Sequence, residues 1–303
     1  REHGFLNQRG ALYIGRAEDK AKMDGFVENF AGTGVTIERL DAGGLRSKVP
    51  QLHEEWCDAI YEPACADIDV AALHQHYLKA LRQGGVDLVC RARVSDLARE
   101  QGGWRIGTER GETYRAAQIV NAAGAWADTL AGLAGAQPLG IGPLRRTVVQ
   151  LRVSPEAPAD QPLVLDISGG FYFKPDNGRL WLSPHDEIPS DPCDAAPEEM
   201  DVAVAIDRFQ QVTKWRIEAV ERRWAGLRSF APDRLPVYGP DPAVSRFNWF
   251  AGQGGFGIQT APAAARLASQ VLLGLEPDDL TRAIDPQAYS PARFSAQKAR
   301  RTG

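Results

Sequence analysis

The stretch "FNWFAGQGGFGIQTAPAAARLASQVLLG", residues 247–274, decides how this chain is read. Gly252, Gly254 and Gly257 stand in the spacing G-x-G-x-x-G, after an apolar strand-like run and before a helical pattern. A dinucleotide-binding loop also needs a second strand after the helix and an acid about 20 residues on to hold the ribose. The segment that follows, "LEPDDLTRAIDPQAYSPARFS", is rich in Pro and Asp and has no strand pattern, and Glu276 falls in a turn. The loop therefore fails as a phosphate site. Its glycines still permit close backbone approach and positive φ. Thr260 is expected to cap the helix, with Pro262 in its first turn. The free N–H groups and positive dipole end there suit a partly negative planar ring as well as a phosphate. Tight helix–sheet packing is the alternative use of the glycines.

Composition narrows the class. The chain has 303 residues, 44% hydrophobic and 24% charged, with a net charge of −4. That is enough for a sizeable core and gives no electrostatic case for nucleic acid. Cys57, Cys65, Cys90 and Cys193 form no C-x-x-C and have no His pair at metal spacing, so no metal site is expected and the thiols read as isolated and reduced. No apolar run reaches the ~18 residues of a membrane span. The opening "REHGFLNQRG" lacks Met and has no signal-peptide pattern. A cytoplasmic protein is expected, with a peripheral position at the inner membrane as the variant.

Periodicity predicts a strand over 9–15 and an amphipathic helix through Met23, Phe26, Val27 and Phe30. It predicts a strand and a short capped helix over 35–52, then a helix over 68–83 capped by Asp69 and stopped by Gly84-Gly85. Strands are expected in "VDLVCRARVSDLARE", "GWRIGTE", "TYRAAQIVNAAG", "PLRRTVVQLRV" and "GFYFKPDNGRLWLSP", the last bending at "PDNG". A helix is expected in "EEMDVAVAIDRFQQVTKW". The alternation points to an α/β protein of two interleaved domains.

"IVNAAGAWADTLA" (119–131), "WAGLRSFAPDRLPVYG" (224–239) and "GQGGFGIQTAPAAA" (252–265) together resemble the D-amino-acid oxidase superfamily of FAD enzymes. "ADIDVAALHQHYLKALR", "GFYFKPDNG" and "WAGLRSF" further resemble bacterial D-amino-acid dehydrogenases of the D-arginine kind. The resemblance runs from about residue 45 to 290 and implies a Rossmann-like FAD-binding domain interleaved with an antiparallel-sheet substrate domain. Residues 1–62 and 139–225 would build the substrate domain, and 63–138 and 226–303 the FAD domain. Such enzymes open with a strand–GxGxxG–helix unit of ~30 residues that has no counterpart here. The expectation is that the chain is a fragment, the alternatives being a separate chain that carries the unit or a protein that has lost the function.

The resemblance also assigns residues. Gly254, Gly255, Gly257, Ile258, Gln259 and Thr260 match a flavin-contacting loop whose helix end faces the pyrimidine side of the ring. Ala122, Ala123 and Gly124 match the small-residue turn beneath the cofactor, and Val94 a strand position at the adenine. Arg228 and Arg146 match a clamp on the substrate carboxylate, a role suited to the guanidinium fork. Tyr172 matches the phenol beside it, and the Gly255 carbonyl would accept from the substrate amine. Strand alternation lets only one of Arg145 and Arg146 face the pocket. Leu163 and Leu165 fall at apolar pocket positions. Ala11 stands where the D-arginine enzyme has a Glu for its cationic substrate. His74 and His76 lie on different helix faces, and His185 reads as a loop residue with a structural role.

The implied activity is FAD-dependent oxidative deamination of D-amino acids with neutral side chains. A hydride leaves the substrate Cα for flavin N5, and the imine hydrolyses to a 2-oxo acid and ammonia. The partners are then an amino-acid substrate and an electron acceptor that the sequence does not name. A glycine or sarcosine oxidase is the nearest alternative, and a non-catalytic remnant, or a subunit that completes an FAD site with a partner chain, the more distant one.

Overall fold

The computed structural model describes residues 4–294, and its backbone divides into two compact units. Of the described residues, the first comprises 4–76, 145–188 and 194–226, and the second 77–144, 189–193 and 227–294.

The first unit holds most of a nine-stranded sheet. Its strands run in the order Ile188–Pro189, Gly142–Ser154, Arg179–Ser183, Tyr172–Asp176, Leu163–Asp166, Ala11–Gly15, Asp58–Glu62, Glu38–Leu40, and Arg216–Phe230 pairs with Gly142–Ser154 as well. Leu163–Asp166 lies parallel to Ala11–Gly15, while its other neighbour, Tyr172–Asp176, is antiparallel. Alternation sends Leu12, Ile14, Val149, Leu151, Val164, Phe173, Leu180 and Leu182 to one face, all fully buried. There they pack on the helices Ala42–Lys48 and Glu199–Val212 through Leu45, Val202, Ala205, Phe209 and Val212. Phe173 meets the rings of Phe209 and Trp215 edge-on, at 5.4 and 6.1 Å.

The opposite face carries the alternate residues. Ala11 pairs with Leu163, Leu165 with Tyr172, Tyr172 with Ser183, and Gln150 with Trp181. Ala11, Tyr13, Leu163, Leu165, Tyr172, Ser183, Val148 and Arg146 therefore look out from a single face. The turn "PDNG" bends the chain between Tyr172–Asp176 and Arg179–Ser183 as expected, with Asn177 and Gly178 both at positive φ.

The second unit is built from smaller pieces. A meander joins Val94–Glu100, Gly103–Thr108 and Thr113–Ala116. A second sheet has Phe247–Ala251 at its centre, antiparallel to Val237–Pro240 and parallel to Ile119–Asn121. Trp249, Phe247 and Ala251 are fully buried with Val237, Ala127 and Ala131. Ile119–Asn121 is an edge strand, and Val120 on it is half exposed. The helix Val70–Gln83 forms as its pattern predicts, with Asp69 accepting from the amide of Ala72. No residue of this helix is buried.

Two expectations are corrected here. Residues 86–93 form no strand, and Val86, Leu88 and Val89 stand exposed. Their apolar alternation has no neighbouring strand among the described residues to pair with. The helix expected to be capped by Thr260 begins instead at Gly257, after Phe256. The Thr260 amide already bonds the Phe256 carbonyl within the first turn, and its hydroxyl donates to the same oxygen at 2.8 Å. Pro262 consequently lies inside the helix. All four cysteines are free thiols, Cys90 and Cys193 exposed. Among the described residues no helix is long and apolar enough to cross a membrane, and no cluster of ligands could hold a metal ion.

Candidate active site

In the second unit the loop Gly252–Gly257 is shaped by what its glycines leave out. Gly252 and Gly254 lie at φ 72° and 56°. A Cβ on Gly254 would come within 2.3 Å of Phe230 Cε1, and one on Gly255 within 3.0 Å of Arg228 Nη1. The bare backbone thus lies flat against Phe230 and against the guanidinium of Arg228. The Gly254 amide donates to the Ser229 carbonyl at 2.8 Å, which ties the loop to the strand that bears Arg228. The first helical residues, Gly257, Ile258 and Gln259, precede any intrahelical acceptor, so their N–H groups face outward at the positive end of the dipole. Gly255, Phe256, Ile258, Gln259 and Thr260 are exposed. Arg228 is half-buried and has no acidic partner among the described residues.

Elsewhere in this unit, Asn121 ends its strand fully buried. Its side-chain amide donates to Ala127 and its carbonyl accepts from Ala123, so it fixes the turn Ala122–Gly124. Gly124 sits at φ 56°. Val94 and Ala123 line one hollow of 630 Å³ together with Trp126, Leu130 and Leu133.

In the first unit the sheet face described above gathers Ala11, Leu163, Leu165, Tyr172 and Arg146. Strand alternation separates the two neighbouring arginines. Arg145 turns to the core side, where it meets Glu198 and, at 2.9 Å, Asp201. Arg146 turns to the other face and is 4% exposed. Its Nε donates to the Asp186 carbonyl at 2.5 Å, and its Nη2 lies 3.5 Å from a Glu187 carboxylate oxygen. Both arginines are therefore matched by acids that lie 40 to 56 residues on, which sequence spacing gives no means of seeing. Tyr13, on the same face as Ala11, has its phenol pushed up to about 12, by burial first and then by Glu62 and Cys65. Tyr172 meets the His185 ring edge-on at 5.7 Å.

Residues 1–271 match the family model described as FAD dependent oxidoreductase. The chain belongs to that family. The family's cofactor is FAD, and the fit can be judged on the chain's own geometry. The glycine loop is a cradle that a single Cβ would fill, and the hollow at Val94 and Ala123 is apolar and open. A glycine loop opening a βαβ unit for the pyrophosphate is not found among the described residues.

The chain is similar to the hydrogen cyanide synthase subunit HcnC of Pseudomonas aeruginosa, 26% identical over 290 residues, which cover 93% of this chain and 66% of that protein. It is similar to mitochondrial dimethylglycine dehydrogenase of Rattus norvegicus, 27% identical over 267 residues, 80% of this chain and 31% of that one. The chain thus spans less than two thirds of the length of these relatives. The crystal structure of glycine oxidase from Geobacillus kaustophilus superposes with a TM-score of 0.82 at 23% identity, covering 97% of this chain and 78% of that one. This likeness establishes the fold, mixed α/β with an FAD-oxidoreductase architecture.

Proposed function

We propose that this chain, within a complete FAD-binding protein, oxidises the carbon next to the nitrogen of a small amino acid, and that D-amino acids with neutral side chains are its substrates. The observation that carries the reading is Arg228: a half-buried guanidinium, without an acidic partner among the described residues, packed on a glycine backbone. A half-buried cation left unmatched still bears part of the desolvation cost of its charge, and a substrate carboxylate would supply both the charge and two acceptor oxygens. The Gly255 carbonyl would accept from the substrate amine, and Tyr172, in the first unit, is by the family resemblance a phenol that donates to a substrate carboxylate. Arg146, matched by Asp186 and Glu187, supports the same sheet face. Gly254, Gly257, Ile258, Gln259 and Thr260 hold the flavin side, and Val94, Ala122, Ala123 and Gly124 the adenosine side.

FAD, when bound, supplies the two-electron acceptor. The chain's own part is to fix the carboxylate so that the substrate C–H has one orientation, which removes most of the entropic barrier. The amine loses a proton before or with the hydride, and the released imine hydrolyses in water to a 2-oxo acid and ammonia. Leu163 and Leu165, both part-exposed, offer an apolar surface to a side chain, which disfavours a guanidinium shedding its water; Ala11, on the same sheet face, is 1% exposed and offers none itself.

A second reading, glycine or N-methylated glycines as substrates, is favoured by the names of the relatives above. A third, a subunit that completes its cofactor site with another chain, is favoured by the open edge at Ile119–Asn121 and the exposed Val86, Leu88 and Val89.

The deciding experiment is anaerobic mixing of the complete holoprotein with D-Leu, D-Met, D-Phe, D-Arg, glycine, sarcosine and dimethylglycine, with flavin bleaching as readout. Fastest reduction by a neutral D-amino acid supports the first reading. Fastest reduction by glycine or its N-methyl derivatives supports the second. A protein that takes up no FAD under any condition ends all three.

A further inference from the structure

The residues from Pro184 to Glu187 touch both Tyr172 and Arg146, and the functional reading above gives His185 among them no part. His185 lies at φ 56°, a left-handed conformation that side chains other than glycine avoid. Its Nδ1 is 2.9 Å from the carbonyl oxygen of Gly169. A carbonyl can only accept, so Nδ1 carries the proton and donates. Its ring meets that of Tyr172 at 80°, with centroids 5.7 Å apart. One imidazole therefore holds the turn that leads into the Tyr172 strand and also walls the phenol ring.

The turn itself is braced independently. Asp166 accepts from the amides of Ser168 and Gly170 at 2.9 and 2.8 Å. Arg208, from the helix Glu199–Val212, donates through a single nitrogen to the Gly170 and Pro184 carbonyls at 2.5 and 2.6 Å. It thereby clips the residue two before Tyr172 to the residue just before His185. On the far side of His185, Asp186 accepts from the Thr147 amide and, through its carbonyl, from Arg146. The His185 ring cannot shift without disturbing a turn fixed at three points, and Tyr172 cannot rotate toward it without meeting that ring.

We propose that His185 is a positioning residue for Tyr172: its Nδ1–H bond to Gly169 and its edge contact hold the phenol at a single angle, and so set how tightly a substrate carboxylate is bound. The proposal rests on the reading of Tyr172 as a substrate-facing phenol. Without a substrate contact it remains a statement about the Tyr172 ring, and the test separates the two.

The test is a double-mutant cycle on the complete holoprotein, with acetate as a carboxylate probe that is not turned over and binding followed by perturbation of the flavin spectrum. His185→Ala should weaken acetate binding about 5- to 10-fold. In a Tyr172→Phe background the same change should weaken it less than about 2-fold. His185→Asn, which keeps an N–H toward Gly169, should recover most of the loss, and His185→Phe, which keeps a ring but no donor, should recover less. FAD content should be unaltered in all of them. Equal losses in both backgrounds, or no loss, would overturn the proposal.

A second readout is independent of any ligand. With 3-fluorotyrosine at position 172, the 19F resonance should move and broaden in His185→Ala and stay narrow in His185→Asn. An unmoved resonance overturns the positioning role whatever the protein oxidises. A moved resonance in a protein that neither binds acetate nor is reduced by any amine supports the positioning role and sinks the reading of the site.

Discussion

The turn 166–170, ahead of Tyr172, is held by side chains: Asp166 from within, Arg208 and His185 from outside. The loop 252–257, beside Arg228, is held by their absence, because a Cβ on Gly254 would strike Phe230 and one on Gly255 would crowd the Arg228 guanidinium. The first turn delivers a side chain, Tyr172, at a fixed angle. The second delivers backbone amides and a carbonyl as close as possible to whatever lies over them. A polar brace can be lost one bond at a time, at a modest cost each. A close backbone fit fails at once when a single carbon is added.

The largest effect should come from the group that the glycine loop supports. Arg228→Leu in the complete holoprotein should lower kcat/KM for every amine substrate by ~100-fold or more, about 3 kcal/mol, because the substrate carboxylate is left without its partner. FAD content should hold, since the loop glycines are untouched. Steady-state kinetics beside the flavin spectrum checks both halves, and unchanged kinetics would remove Arg228 from the site.

Next comes the fit of the loop. Gly254→Ala adds a carbon at a left-handed residue, with Phe230 Cε1 2.3 Å away. It should cost about 2–3 kcal/mol of stability and most of the bound FAD. Adding Phe230→Leu should recover the part due to overlap and leave the part due to φ. Denaturant midpoints of the single and double variants measure the split, and a wild-type midpoint for Gly254→Ala would contradict the description of this loop.

The braced turn should be more forgiving. Arg208→Met removes two hydrogen bonds to carbonyls and should cost about 1–2 kcal/mol, with FAD retained. If it instead cost as much as Gly254→Ala, the contrast between the two regions would collapse.

The smallest effect concerns pH. Burial raises the Asp67 carboxyl, but hydrogen bonds from Lys174 and Arg9 outweigh that and hold it below the usual carboxylate range. A carboxyl depressed on folding stabilises fully above its unfolded pKa of about 3.9, and the contribution is lost as pH falls through the lower native value. Acid unfolding of the wild type should therefore steepen below about pH 4. Asp67→Asn should flatten that limb by under about 1 kcal/mol, the pair being only partly buried. An identical acid limb in the variant would show that Asp67 carries none of it.

Much of this was legible in the residues. The helix Val70–Gln83 announced its cap and its glycine stop, and "PDNG" its bend, because both signals are local and the structure satisfies them locally. At the start of the helix Gly257–Leu273, Thr260 and Pro262 imitate a cap and a first-turn proline. Gly257, free of a side chain, enters the helix three residues earlier. The strand expected over 86–93 shows the limit of alternation, which marks a willingness to pair and says nothing of whether a neighbour exists. The glycines of the loop and Arg228 stand out in the sequence by their motifs. The acids that face Arg145 and Arg146, and the bridge from Arg208 through His185 to Tyr172, join positions that only the folded sheet brings side by side.

The free thiols give the molecule a built-in set of chemical reporters. Cys90 lies in the exposed, strandless segment and Cys193 in an exposed loop, so both should react quickly with a maleimide or a disulfide reagent. Cys65 is held back twice. It is half-buried, and its thiol is pushed up by that burial and by the charges of Glu62 and Asp67, which keeps it from the thiolate form that does the attacking. Two fast alkylations and a slow remainder would be the signature of this chain by itself. Whatever segment or subunit comes to lie over residues 86–93 would silence one of the fast pair while sparing Cys193, so a mass spectrum after a short pulse of reagent would report its arrival without any cofactor, substrate or turnover.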